Sequence, residues 1–239
     1  MSGFVNTIDL LGDEVVATAI IDRTITEFHD DVVTYVGDFV FWSCNNLKSV
    51  YLPNVETVSD NCGLTMGSLE YLNLPKLKSI PSWAKLKAKY MYFESATSLG
   101  SNAFTSSSQT VHIYLPSIIS LSYQAFSSCS ALTTVEFSML KNFYNGEFQN
   151  CKNLKWFIHR GEVIPNLTGV STFNTTPFAD GNSGGTLLVR RSNISEYQNH
   201  TNWSAILAYE NNRILALEDY TIDGTITGEI DWDKLGGTT

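Results

Sequence analysis

The chain has 239 residues, 43% hydrophobic and 16% charged, which is the composition of a folded protein and excludes intrinsic disorder. Its 24 acidic and 15 basic residues leave a formal charge of −9, and no Lys/Arg cluster is present, which argues against nucleic acid as a partner. No apolar run approaches the ~18–20 residues that span a bilayer, so no membrane insertion is expected. The start, MSGFVNTIDLLGDEVV, also lacks the basic-then-apolar pattern of a secretory signal.

The first element, residues 1–35, becomes legible in the numbering of the repeat that follows it. With Val36 as position 1, Val58 and Ile80 follow at spacings of 22, Leu99 follows a shortened unit, and Leu121 and Phe143 resume the period. In that frame Ile25, Phe28 and Val33 fall on positions 12, 15 and 20 of a partial unit, with Asp30 where an apolar residue belongs at 17. An open stack needs its end covered, so 1–35 is read as an N-terminal cap.

Residues 36–160 carry the repeat itself. Position 6 holds Phe41, Phe104, Phe126 and Phe148, with Gly63 as the exception. Position 9 holds Cys44, Met66, Ser107, Cys129 and Cys151, and position 12 holds Leu47, Leu69, Leu132 and Leu154. Apolar columns recur as well at 15 (Val50, Leu72, Met91, Ile113, Val135, Phe157), at 17 (Leu52, Leu74, Phe93, Leu115, Phe137) and at 20 (Val55, Leu77, Ala96, Ile118, Leu140). A unit this small cannot bury its own apolar side, so the units must stack and turn the columns into ladders. The alternation around position 15 is strand periodicity, and Pro53, Pro75 and Pro116 stop each strand at position 18. The expected fold is therefore a solenoid, α/β or mainly β, of short parallel strands ~4.7–4.9 Å apart with irregular or short helical backs, capped at both ends. The third unit loses three residues within IPSWAKLKAKYMYF, and Trp83 is expected to fill the space of its missing Phe.

Three of the four cysteines share position 9, so a packing column explains them without a disulfide framework, and buried free thiols are expected. Residues 161–218 read as a C-terminal cap. GTLLVR is a strand after the turn ADGNSGG, and Ser192 is the expected N-cap of an amphipathic helix carrying Ile194, Tyr197, Trp203, Ile206 and Leu207. The acidic tail 219–239, DYTIDGTITGEIDWDKLGGTT, has three outcomes open to it: a small hairpin, docking on a partner, or mobility.

The segments SNAFTSSSQTVHIYLP, SYQAFSSCSALTTVEFS and FVFWSCNNLKSVYLP resemble the BspA-like leucine-rich repeats of bacterial and phage surface proteins, written IGxxAFxxCxxLxxVxLP. TPFADGNSGGTLLVRRSNISEYQNHTNW resembles the closing module common in that group, with Leu188 for its usual Tyr and Arg190 for its Pro. The resemblance spans residues 20 to 220. It implies a leucine-rich-repeat solenoid and a role in adhesion or receptor contact, outside the cell or on a virion, with no shared enzymatic activity.

Catalytic patterns are absent from the residues. ADGNSGG is similar to the nucleophile loop of trypsin-like proteases, but none of His29, His112, His159 and His200 sits in an Ala-His-Cys context, so Ser183 is read as a turn residue. No HExxH, GxxxxGK[ST], EF-hand or CxxC spacing occurs, and no enzyme activity, metal or cofactor is expected. Asn166, Asn174, Asn199 and Asn202 begin glycosylation tripeptides, a weak signal in Asn/Thr-rich loops.

Strand positions 14 and 16 point away from the ladders. They place Tyr51, Tyr71, Tyr90, Tyr92, His112, Tyr114 and Trp156 in an aromatic band on one face. Two readings are open for it. Aromatics favour strands and stack across adjacent rungs for stability alone, or the band is a surface for a protein or carbohydrate ligand. The expected function is non-catalytic binding or adhesion through that face; the alternative is a structural or assembly part of a phage particle, with the repeats as spacer.

Overall fold

A computed structural model of the chain describes residues 8–11, 14–17, 23–144 and 146–236, the first two stretches by their backbone alone. Among the described residues fifteen strands fall in two ladders, alternating between them from the third strand to the eleventh. The main ladder is a nine-stranded sheet, parallel throughout. Its members are β3 (Glu27–His29), β5 (Ser49–Tyr51), β7 (Tyr71–Asn73), β9 (Tyr90–Tyr92), β11 (His112–Tyr114), β12 (Thr134–Phe137), β13 (Trp156–His159), β14 (Thr186–Val189) and β15 (Arg213–Ala216). The register follows the repeat numbering. Val50 faces Leu72, Leu72 faces Met91, Ile113 faces Val135 and Val135 faces Phe157, all at position 15. These residues are buried, as are the columns at 12, 17 and 20.

The second ladder lies at positions 0 and 1 and was not anticipated. It comprises the hairpin β1 (Ile8–Leu11) and β2 (Glu14–Ala17), then β4 (Tyr35–Val36), β6 (Thr57–Val58), β8 (Ser79–Ile80) and β10 (Ser98–Leu99). The order is β1-β2-β4-β6, with β10 beside β8, and the bridges Ser120–Asn142 and Asn142–Asn166 carry the same line further. Two-residue strands show no alternation, so only their single apolar residue registers as a column.

The Phe-x-x-Cys stretches form turns with no helix, the irregular alternative of the two expected. Phe104, Phe126, Phe148 and Phe173 stack almost face to face, at centroid spacings of 5.3, 5.1 and 5.6 Å and interplanar angles of 11°, 9° and 10°. The cysteine three residues on ties this stack to itself. Cys129 Sγ donates to Phe104 O and Cys151 Sγ to Phe126 O, each at 3.0 Å. In the Phe104 rung, Ser107 and Thr110 take the Cys and Leu places and satisfy their hydroxyls against Leu86 O and Ala88 O.

All four cysteines are free and buried. Burial pushes the Cys62 thiol up to about 11 and raises Cys151 well above its ordinary value. Titration of the native protein with a thiol reagent should therefore find almost nothing until denaturant is added, and then all four groups. Fewer than four in unreduced, denatured protein would establish a bridge.

Trp83 does not fill the gap left by the missing Phe. It is 56% exposed, whereas Ala84 and Leu86 beside it are buried; in the rung before, a Cβ on Gly63 (φ +90) would lie 2.6 Å from Trp42 N and 2.8 Å from the Phe41 carbonyl carbon, so no side chain fits there. The expected C-terminal helix is two short helices, α1 (Ile194–Asn199) and α2 (Thr201–Leu207), separated by extended His200, whose side chain accepts from Asn202 N–H. Ser192 lies in a 3-10 turn before α1 and caps neither helix. Tyr197 and Trp203 close the apolar end against Phe143, Phe157 and Phe173. Among the described residues no helix is long and apolar enough to cross a membrane.

Candidate functional site

Alternation aims positions 14 and 16 away from the core, and the strands burden that face unequally. Tyr51 and Tyr71 are exposed, Tyr90, Tyr92, His112 and Tyr114 half-buried, and Trp156 only 5% exposed. The rings meet from rung to rung. Tyr71 stacks on Tyr90 at 5.2 Å and 22°, Tyr92 lies 6.1 Å from His112 and 6.4 Å from Tyr114, and Tyr51 lies 5.0 Å from His29. Lys89 Nζ stands 5.1 Å from the Tyr90 centroid, a cation–π contact. The structure thus brings six of the seven expected residues together on one face, open at Tyr51 and Tyr71 and half-buried at the other four, and places Trp156 under a cover.

That cover is the acidic tail. It pairs as a small hairpin, Thr221 bridging Ile230 antiparallel, and docks on the chain's own sheet. Trp232 meets Trp156 edge to face at 5.8 Å, and Trp156, Ile158, Leu188, Leu217 and Ile230 form a second apolar core. Leu188, which stands for the Tyr of the resembled motif, is thereby buried. The signal was present in the sequence: Trp156 and Ile158 put two apolar residues on outward positions where earlier rungs are more polar, and Ile226, Ile230 and Trp232 supply the partners.

Arg160 pins the tail. Its Nε donates to Glu136 Oε1, and its Nη1 donates to Ile226 O and, at 3.0 Å, to Gly228 O. Burial pushes the Glu136 carboxyl up, and the adjacent guanidinium pulls it back toward the charged form. Burial, aided by Arg160, holds the His112 imidazole down to about 4. His112 is therefore neutral at ordinary pH, and its 3.9 Å approach to Glu136 is not an ion pair. His112 Nε2 and Asn73 Oδ1 have no hydrogen-bond partner among the described residues.

Between band and tail runs a groove in two lobes. One of about 480 Å³ is lined by Tyr92, His112, Tyr114, Arg160 and residues 226–229 of the tail. The other, about 440 Å³, lies between Tyr71, Tyr90, Tyr92 and the tail residues Glu229 and Trp232. Volumes of this size suit a small ligand or a few residues of a larger one. Sequence reasoning missed Arg160 and the tail as parts of this site; Glu136, a lone acid among tyrosines at position 16, was the clue to a cation one rung away. Ser183 sits elsewhere, in a surface depression lined by Lys152, Thr175, Thr176, Pro177, Gly181 and Asn182, with no histidine.

Comparison with known proteins bears on the fold. A model of the "BspA type Leucine rich repeat region" matches in six copies over residues 23–85 and 85–176. None of the curated proteins matches. Among solved structures, a leucine-rich repeat protein from Bacteroides ovatus ATCC 8483 is similar at 19% identity and a TM-score of 0.48, over 75% of this chain and 49% of that one. The chain thus spans about half the length of that protein. With the family model covering well over half of the residues, the chain belongs to the BspA-type leucine-rich-repeat family.

Proposed function

We propose that the protein is a non-catalytic binding or adhesion module on the outside of a bacterial cell or phage particle, recognising a protein or glycan ligand through the aromatic face of its main sheet. Repeats of this family commonly serve in surface or adhesion modules and are typically non-catalytic. The observation that carries the reading is the contrast along one face. Where Trp156 and Ile158 offer an apolar surface, the chain covers it with its own tail; where Tyr51, Tyr71, Tyr90 and Tyr92 offer rings with polar tips, it leaves them accessible beside a groove. Tyrosines present large contact area at low conformational cost, and their hydroxyls suit a hydrated partner.

The test is binding to a glycan array and to host-cell surfaces. Tyr71→Ala combined with Tyr90→Ala should weaken retention about tenfold or more, since central aromatic anchors dominate such interfaces. Urea unfolding should remain cooperative with only a modest loss, because Tyr71 is 48% exposed and Tyr90, half-buried, lies outside the core. Undiminished binding in the double variant would remove the sheet face as the site.

A further inference from the structure

The back of the solenoid carries three large aromatics that packing does not use. Phe39, Trp42 and Trp83 are 55%, 57% and 56% exposed, and Phe39 meets Trp42 edge to face at 5.8 Å. Two of them sit in the left-handed backbone region, Phe39 at φ 61 and Trp83 at φ 61. Both occupy repeat position 4. Later rungs fill that place with Asn102, Gln124 and Gly146, also left-handed, and of these Asn and Gly are better suited to it. The first and third rungs thus hold a bulky ring in a conformation that costs on the order of 1 kcal/mol and leave the ring in water. Neither choice helps the fold.

The rings flank a cleft of about 390 Å³ over the second rung, with Gly63 in its lining. The cleft is also lined by Asp60, Asn61, Thr65 and Lys85. None of these four side chains has a hydrogen-bond or ion-pair partner among the described residues. Backbone bonds hold the walls in place: Phe39 N–H donates to Asn61 O at 2.8 Å and Trp83 N–H to Ser101 O at 3.1 Å. Trp42 and Trp83 stand on rungs two spacings apart, about 10 Å between backbones.

We propose that this cleft is a second binding site, opposite in chemistry to a protein-docking patch, and that it takes a neutral oligosaccharide. Sugar rings offer C–H faces that lie against indole and phenyl rings, and hydroxyls that need both donors and acceptors. Aromatic walls with an uncommitted carboxylate, amide, hydroxyl and ammonium supply both. Asp60 and Lys85 cancel in charge, which favours a neutral ligand over an anion or cation. A proline-rich peptide would also find the rings, but it would leave the charged Asp60 and Lys85 and the Asn61 amide without the partners that sugar hydroxyls supply. The site does not depend on the sheet face.

The experiment uses an array of neutral oligosaccharides, followed by tryptophan-fluorescence titration with those retained. Trp83→Asn, which installs the residue type of a later rung, and Trp42→Ala should each weaken binding about tenfold or more. Trp83→Asn should leave the unfolding midpoint unchanged or higher, because it relieves the strained ring. Tyr71→Ala combined with Tyr90→Ala should leave this titration unaltered, so the two sites fail or stand separately. The proposal is overturned if the wild type retains no neutral oligosaccharide, if retention survives loss of both tryptophans, or if proline-rich peptides alone quench the fluorescence.

Discussion

Replacing Phe126 by alanine is expected to remove about 3–5 kcal/mol of stability, read as a lower midpoint in urea unfolding at an unchanged slope. Phe126 is fully buried between Phe104 and Phe148, with near-parallel rings on both sides. The variant loses its transfer free energy, opens a cavity and deprives two neighbours of their stacking partner. The surroundings cannot collapse into the space, because backbone bonds fix the rung spacing there: Phe126 N–H donates to Glu147 O, and Phe126 O receives the Cys151 thiol. Repeat proteins contact only their nearest neighbours, so no distant rung compensates. A loss below about 1 kcal/mol, the ordinary level for a point change, would show that the phenylalanine stack is not a principal source of stability.

Acid should act through His159, which takes the place that leucine or phenylalanine holds at position 17 in earlier rungs. It is fully buried, its Nδ1 lies 3.0 Å from the Tyr197 hydroxyl, and its Nε2 has no partner among the described residues. Burial holds the imidazole down to about 4, against 6.5 for a free one. Between those values the unfolded chain binds a proton that the native protein does not, so the contribution is complete above about pH 6.5 and is lost as pH falls toward 4. Buried Glu147 works in the opposite sense: its raised carboxyl gains a proton first in the native state, so acidification favours folding there. A difference isolates the histidine. The stability of the wild type minus that of His159→Leu should fall by about 3 kcal/mol from about pH 7 to about pH 4. A difference that does not vary with pH would mean that the native ring takes up its proton over the same range as the unfolded chain, so that burial does not hold it neutral. Leucine also sacrifices the Tyr197 hydrogen bond, which sets the value at neutral pH and leaves the slope alone.

The columns of the main ladder were legible because one side chain per rung must meet its counterpart at every rung. That demand writes the 22-residue period into positions 12, 15, 17 and 20, and even Phe28 in the degenerate first rung obeys it. The failures have a common cause: backbone can do the work that side chains were asked to do. Trp83 was assigned to the core of the shortened unit, but the left-handed turn that carries it points the ring into water while Ala84 and Leu86 are buried. The second ladder runs through two-residue strands whose pairing lies in the main chain. Of the site, the aromatic band was legible from alternation alone. Its limit was not, because Trp156 is covered by a segment more than sixty residues away, through carbonyls on Arg160 that carry no signature in the sequence.

The shortened third unit shows how the molecule measures itself. Tyr71 faces Tyr90 and Leu72 faces Met91, in the same register as every full-length pair, although three residues are missing between those strands. The whole deficit is absorbed on the back, at the turn that carries Trp83. Length is therefore counted in strands on one side and left free on the other. Such a molecule can grow by duplication: a copied stretch such as 99–120 would insert one more strand, lengthen the stack by about 4.8 Å, and carry the tail and everything beneath it one step farther from the first rung. Reach can change by whole units while the contacts at both ends stay as they are.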